Sequence, residues 1–190
     1  MKNYLETLHP SNNNIIQIGA HDGIVGEEYG FIELIRESHN NVLMVEPVPA
    51  YMKLLKQNLY ETKSSIRFVE SGVRNYNGNS RITLEGGMSS FKGAFNTHPS
   101  IEVSVITIDA LLAEAAFPII DLLLLDTEGC EREIIESLDL SKTDVRTIRW
   151  EYHNLTAEDN KFITTKLSAL GYNLDYCSHD PRHNVLAWKP

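Results

Sequence analysis

The 190-residue sequence predicts an α/β protein with a mostly parallel, seven-stranded sheet, helices on both faces and an antiparallel C-terminal hairpin strand. Two observations predict this fold. Short apolar runs alternate with segments of helical periodicity, which is typical of parallel strands joined by crossover helices. The chain then closes with two extended segments, YNLDYC and NVLAWK, around the turn sequence SHDPRHN, and this pattern predicts a hairpin.

The alternation assigns the elements in order. The strands are short apolar runs, predicted at residues 15–20, 41–46, 66–73, 103–108, 119–127 and 147–153. The helices have apolar residues on one side and are predicted at residues 27–37, 49–59, 109–116, 128–138 and 157–170. Pro49 is favoured in a first helical turn and Gly171 just beyond a last one, so both support these boundaries.

Residues 74–102 interrupt the alternation with sequence rich in glycine, serine and asparagine. They predict a short strand and a mobile loop, serving as a lid or substrate loop inserted into the fold. The chain has no internal repeat and no linker, so residues 1–190 are predicted to form a single domain.

The charge of the chain narrows the choice of partners. The formal net charge is −9 and the pI about 5.2, without runs of Lys or Arg, which disfavours a nucleic-acid partner. The cysteines, Cys130 and Cys177, lack metal-type spacing. The sequence shows neither a bilayer-length apolar stretch nor a signal region, so we expect a cytoplasmic protein without a membrane partner. The oligomeric state is left open.

The loop after the first strand is a candidate binding loop, because ligands of such sheets bind at the carboxyl ends of the strands. Its glycines, Gly19 and Gly23, have GxxxG spacing, so Ala20 and His21 stand where a GxGxxG loop admits a diphosphate. The loop therefore favours an adenosine cofactor without phosphates. Glu46, at the end of the second strand, is expected to bind ribose hydroxyls; capping or facing solvent there is the alternative.

Four segments in order resemble the FkbM-like family of S-adenosylmethionine-dependent methyltransferases. They are IQIGAHDG, VLMVEPVPAYMKLLKQN, the pair VSVITIDALL and IDLLLLDTEGCEREIIESL, and IRWEYH, which together span residues 15–153. The most specific part is D-x-E-G-x-E after an apolar strand. The sequence departs from the family pattern at Gln17, His21 and Leu125, where an acid, an asparagine and a lysine are usual. The resemblance implies a Rossmann-like class I methyltransferase fold.

The resemblance also implies the residues that hold S-adenosylmethionine, all of them at strand ends. The methionine part would pack against Gly19, Ala20, His21, Asp22 and Gly23, the ribose against Glu46 and Pro47, and the adenine against Ser71, Gly72 and Val73. Asp126 would face the methionine amino group or the acceptor. The loop at residues 86–90 resembles the substrate-side loop of the family, so Ser89 and Ser90 are expected at the acceptor; a functionless loop is the alternative.

Catalytic groups are expected at the ends of the fourth and fifth main strands. Asp126 with Glu128, and Glu151 with His153, are two residues apart, and such pairs share a face of a strand. His153 is the candidate base because imidazole titrates near neutral pH, while Glu128 and Glu151 would orient the acceptor. The alternatives are helix capping for Glu128 and a structural role for His153.

These observations predict a methyltransferase that uses S-adenosylmethionine to methylate a hydroxyl on a small molecule or sugar. A divalent metal among the carboxylates is permitted but not required, and we predict none. One alternative is an NAD-dependent oxidoreductase, although the sequence has neither a diphosphate loop nor a tyrosine–lysine pair for hydride transfer. The other is a non-catalytic cofactor-binding module.

Overall fold

The computed structural model describes residues 4–24, 31–93, 96–176 and 184–189. Seven strands form the main sheet: β1 (Asn14–Ile18), β2 (Asn41–Val45), β3 (Ser65–Val69), β7 (Ile120–Leu125), β8 (Val145–Glu151), β9 (Asn173–Tyr176) and β10 (Asn184–Trp188). Their order is β3-β2-β1-β7-β8-β10-β9, and β10 runs antiparallel to both of its neighbours while the other pairings are parallel. The predicted sheet is therefore confirmed. Residues 178–183 of the predicted hairpin turn lie outside the described residues, and Asn184, its last residue, begins β10.

The core lies on both faces of the main sheet, because side chains of its central strands alternate between two apolar clusters. On β7, Leu123 and Leu125 belong to one cluster and Leu122 and Leu124 to the other. Every residue of β7 is buried, which a parallel strand covered on both faces requires and which explains its nearly continuous apolar run.

Helices cover each face of the sheet, as predicted. The five α-helices of the described residues are α1 (Phe31–Glu37), α2 (Pro49–Asn58), α3 (Ile108–Ala115), α4 (Glu131–Ser137) and α5 (Ala157–Ala169). The first two contribute buried side chains to one cluster and the last three to the other. The first turn predicted for α1, residues 27–30, lies outside the described residues. No helix in the described part of the chain is long and apolar enough to cross a membrane.

A second, three-stranded sheet corrects the prediction of one strand over residues 66–73. β3 ends at Val69, and the chain then enters a sheet of order β4-β6-β5. Its strands are β4 (Gly72–Arg74), β5 (Gly78–Thr83) and β6 (Ser100–Thr107). β5 pairs antiparallel with β6 along its whole length, so the first part of the supposedly irregular insertion is regular. The short strand predicted within residues 74–102 is therefore present as β5, although its sequence, GNSRIT, does not indicate which strand it pairs with.

The carboxyl ends of β1 and β7 approach each other closely at Gly19. The backbone N–H of Asp126 donates to the carbonyl of Ile18 at 3.0 Å. Gly19 has a φ of +85°, and a Cβ there would lie 1.7 Å from the Asp126 carbonyl oxygen. A side chain at this position would therefore push the two strand ends apart.

We expect Gly19→Ala to lower the free energy of unfolding by roughly 3 kcal/mol or more, through backbone strain and steric overlap together. Gly171→Ala is the matched control, because Gly171 also has a φ of +85° but a Cβ there would meet nothing within 4 Å. The free energy of unfolding of the control should fall by only about 1–2 kcal/mol, the contribution of backbone strain alone. Urea denaturation of both variants measures this; equal losses would mean that the strand ends separate without cost.

Candidate functional site

A cavity of about 290 Å³ lies at the carboxyl ends of β1, β2, β7 and β8, bordered on its other side by the second sheet. Its volume is close to the lower end of the range for small-molecule sites, about 300–1,000 Å³. The position is the one expected for ligands of an open α/β sheet, where the strand order reverses between β1 and β7.

The cavity is strongly anionic. Glu46, Asp126, Glu128 and Glu151 all line it, whereas the described lining residues include no Lys and no Arg. A diphosphate would meet four carboxylates without a compensating cation, so the lining disfavours a dinucleotide. It favours instead a nucleoside ligand that carries positive charge, as S-adenosylmethionine does.

The backbone of the glycine turn also fails to offer a phosphate cradle. Its donors are already used within the protein: the N–H groups of Gly19, Ala20, His21, Gly23 and Ile24 each donate to another protein group. The first two share the carbonyl of Val45, at 2.9 and 3.0 Å. Phosphate-binding loops direct such N–H groups at the ligand, so these five groups do not form a phosphate cradle.

Glu46 joins the turn to the end of β2. Its Oε2 accepts a hydrogen bond from the His21 N–H at 2.9 Å, and its Oε1 accepts one from the Val48 N–H at 2.8 Å. The residue is 5% exposed, so the alternative that it faces solvent is wrong. Burial raises the pKa of Glu46 despite these hydrogen bonds. Each carboxylate oxygen keeps acceptor capacity, which fits the two hydroxyls of a ribose.

The wall beside Glu46 is largely apolar and suits an adenine. Pro47, Ser71, Gly72 and Val73 line the cavity where the resemblance places them. Sequence reasoning missed several further lining residues, among them Tyr51 of α2, Ile82 of β5 and Phe91. Of these three, only Tyr51 had a signal in the sequence, since it lies in the first turn of a helix that starts at the same end of β2 as Glu46.

Three carboxylates converge at the ends of β7 and β8. Oxygen atoms of Asp126, Glu128 and Glu151 lie within 4.8 Å of one another. Burial, followed by the charges of Asp126 and Glu131, raises the pKa of Glu128 to about 7. Burial, followed by the charges of Asp126 and Glu128, raises the pKa of Glu151 to about 8. The cluster therefore binds protons at pH values where isolated carboxylates do not.

These side chains meet the spacing requirement for a divalent cation. They supply one oxygen each, whereas Mg²⁺ and Ca²⁺ take six or more oxygen ligands, so the three alone make an incomplete site.

Glu131 holds the segment that carries Asp126 and Glu128. It is 1% exposed and accepts hydrogen bonds from the Thr127 N–H at 2.7 Å, the Thr127 hydroxyl at 2.8 Å and the Gly129 N–H at 3.0 Å. Burial raises its pKa. This anchoring accompanies a left-handed φ of 54° at Glu128. The last acid of the D-x-E-G-x-E segment is therefore structural, while the first two face the cavity.

The structure corrects the helix boundary that led to a capping alternative for Glu128. α4 begins at Glu131 rather than at residue 128, and Cys130 is its N-cap residue. The Glu128 carboxylate accepts a hydrogen bond from the Asn154 amide and lines the cavity, so it does not cap α4. The turn, rather than a continuing strand, brings Glu128 beside Asp126.

His153 does not share a strand face with Glu151, contrary to the spacing argument. β8 ends at Glu151, and His153 lies exposed in the following turn. Its side chain is not among the residues that line the cavity. The regular alternation of a strand stops where the strand stops, so the expected convergence of four titratable groups reduces to three carboxylates.

The remaining predicted residues divide between the cavity wall and its support. Gly19, His21 and Ser89 line the cavity. Ala20, Asp22, Gly23 and Ser90 lie outside its lining. Gly23 is needed for packing, because a Cβ there would lie 2.6 Å from Leu55 Cδ1.

The two serines of the expected acceptor loop hold that loop in place. The Ser89 hydroxyl donates to the Gly86 carbonyl at 2.7 Å, and the Ser90 hydroxyl donates to the Glu128 carbonyl at 2.7 Å. Ser90 also lines a second cavity of about 270 Å³, which has Glu128 in common with the first.

The strand order, the antiparallel β10 beside β8 and the anionic cavity at the strand ends define a Rossmann-like methyltransferase. The family model described as Methyltransferase FkbM domain matches residues 17–174. The chain therefore belongs to the FkbM methyltransferase family and is an S-adenosylmethionine-dependent methyltransferase. The resemblance found in the sequence is confirmed, and the oxidoreductase alternative is wrong.

The solved structures that match this chain include a ribosomal protein methylase and a fibrillarin. Ribosomal protein L11 methylase from Lactobacillus delbrueckii subsp. bulgaricus is 14% identical, with a TM-score of 0.50 over 98% of this chain and 76% of that one. Fibrillarin from Aeropyrum pernix, solved with natively bound S-adenosyl-L-methionine, is 11% identical, with a TM-score of 0.47 over 95% and 68%. At such identities the likeness concerns the fold alone. A search of curated proteins found no match.

The raised pKa values of the cluster predict how stability depends on pH. The folded protein holds protons on Glu128 and Glu151 above the ordinary value of 4.5, so this stabilisation is lost as pH rises through about 7 to 8. Glu151→Gln mimics the protonated side chain. We expect equal melting temperatures for wild type and variant at pH 5, and a variant more stable by at least about 2 °C at pH 9.

Thermal unfolding followed by circular dichroism across this pH range measures the difference. Glu114→Gln, at an exposed helix position, controls for the loss of a negative charge and should leave the pH profile unchanged. A Glu151→Gln profile parallel to that of the wild type would show that Glu151 titrates as an ordinary carboxylate.

Proposed function

We propose that this methyltransferase transfers the methyl group to a hydroxyl oxygen of a small molecule or sugar. The observation that supports this most is the carboxylate cluster, because a hydroxyl must give up its proton as it is methylated. A general base works best when its pKa lies near the working pH, and the pKa of Glu128 is raised to about 7. A carboxylate with an ordinary pKa would be a much weaker base.

The cavity residues fit the cofactor. S-adenosylmethionine supplies the activated methyl carbon when it is bound. Glu46 would accept hydrogen bonds from the ribose hydroxyls, and the slot formed by Val73, Ile82 and Phe91 would hold the adenine. The charge of Asp126 favours a cationic ligand at the strand ends.

The second cavity supports an acceptor that reaches Glu128 from that cavity, because Glu128 lines both cavities. This cavity has Glu128 in its wall and is lined by further polar side chains, among them Glu85, Lys92, His98 and Asn154. Such a mixed set of donors and acceptors suits a molecule with several hydroxyls. In this proposal Glu128 and Glu151 share the role of base, and His153 has none.

The acceptor class is tested with isotopically labelled S-adenosylmethionine and a panel of sugars, phenols, aliphatic alcohols and amines. Mass spectrometry of the products locates the transferred methyl group on oxygen or nitrogen. Labelled O-methyl products would support the proposal, whereas transfer to amines alone would contradict it.

We expect Glu128→Gln and Glu151→Gln each to lower kcat by about a hundredfold or more, the range for loss of a general base. The affinity for S-adenosylhomocysteine should change less than threefold, since neither side chain is assigned to the cofactor. The kcat of the wild type should rise with pH between about 6 and 8.5, because the base acts only when deprotonated. Steady-state kinetics and calorimetry measure both quantities.

His153→Asn is the matched comparison for these variants. It removes the histidine that the sequence pattern favoured as base but that lies outside the cavity lining. Its kcat should stay within twofold of the wild type. A loss confined to His153→Asn would return the role of base to the imidazole.

A further inference from the structure

We propose that the His21 imidazole binds the carboxylate of the cofactor's methionine part and supplies the positive charge that the rest of the cavity lacks. This inference rests on S-adenosylmethionine as the cofactor. It concerns how the cofactor is held and is independent of the acceptor.

The first observation is the state of the His21 ring nitrogens. His21 lines the cavity, and its Nδ1 and Nε2 are buried without a hydrogen-bond partner among the described residues. Nδ1 lies 3.3 Å from Asp22 Oδ1, which is ion-pair range, but the geometry is not that of a hydrogen bond. Buried polar atoms without partners are rare and costly, so an acceptor from a ligand would complete this site.

The second observation is that the ring is held in place. The imidazole packs against the Tyr51 ring, with centroids 4.1 Å apart and planes at 43°. The backbone at His21 is left-handed, with a φ of 45°, and its N–H is fixed by Glu46. Histidine is enriched in this backbone conformation, so the turn carries the side chain without the usual strain. The ring is therefore oriented before a ligand arrives.

The third observation is the shortage of other partners for an anion. S-adenosylmethionine has a carboxylate as well as an ammonium and a sulfonium, yet four carboxylates line the cavity. Among the described lining residues, His21 is the one side chain that can carry positive charge. Five N–H groups of the adjacent turn already donate within the protein. The imidazole is thus the cationic donor that remains to face a carboxylate.

The charged groups that face the imidazole agree with this role. Asp22 lies beside Nδ1, and the Glu46 carboxylate accepts a hydrogen bond from the His21 backbone N–H. Both are opposite in charge to an imidazolium. With Nδ1 next to Asp22, Nε2 is the nitrogen assigned to the cofactor carboxylate.

The test compares two ligands that differ in one charge. S-adenosylhomocysteine has the methionine-type carboxylate, and its carboxamide has the same adenosine and ammonium but no carboxylate charge. Calorimetric titration of the wild type should show the carboxamide binding at least about tenfold more weakly, as expected for loss of a charge-assisted hydrogen bond. In His21→Asn, which keeps an amide N–H donor but removes the positive charge, the preference for S-adenosylhomocysteine should shrink to about threefold or less. Asn suits the variant because it tolerates a left-handed backbone.

His9→Asn is the control, since His9 is exposed and precedes β1, at the opposite end of the strand from the cavity. It should keep the wild-type preference between the ligands. Equal binding of the two ligands by the wild type would overturn the inference without any variant. An equal loss of both in His21→Asn would assign His21 to the shape of the turn instead. Failure of the wild type to bind either ligand would overturn the cofactor assignment itself.

Discussion

The contact between the ends of β1 and β7 is the constraint on which the site depends. A glycine at position 19 lets the backbone after β1 touch the carbonyl of Asp126, and the hydrogen bond from Asp126 to Ile18 fixes the two ends in register. One strand end carries the glycine turn and the other carries the acidic segment. Their contact therefore places the turn proposed to hold the cofactor beside the carboxylates proposed to react, without any long-range arrangement of loops.

Four acidic side chains line the cavity. Placing four acidic side chains in one small, partly buried space is unfavourable, and the protein offsets this in different ways. Glu46 accepts two backbone hydrogen bonds, and Glu131 behind the wall accepts three. Glu128 and Glu151 instead hold protons more tightly, as their raised pKa values show. A cationic ligand offers the same relief, which makes the anionic lining a feature of recognition.

The sequence predicted the parts of the site that lie where parallel strands end, because those ends meet at one edge of a sheet. The glycine turn, Glu46 and Asp126 were found in this way. It could not predict Ile82 or Phe91, since no local pattern in the chain encodes the pairing of β5 with β6. The prediction that His153 shares a strand face with Glu151 was wrong, because it extended the two-residue alternation of β8 past Glu151, where the strand ends. Glu128 reached the cluster through a left-handed turn, which residue spacing does not encode.

The insertion at residues 74–102 contributes residues to two cavities. Phe91 packs so tightly on Gly72 that a Cβ there would lie 2.4 Å from its ring, while the neighbouring Ser90 holds the carbonyl of Glu128. Residues of one short loop thus border both the slot of Val73, Ile82 and Phe91 and the second cavity. If these cavities hold the nucleoside and the acceptor as proposed, substitutions that reshape this loop for a new acceptor will also change the fit of the nucleoside. Under that assignment, acceptor preference and cofactor affinity are coupled, and redesign of one requires compensation for the other.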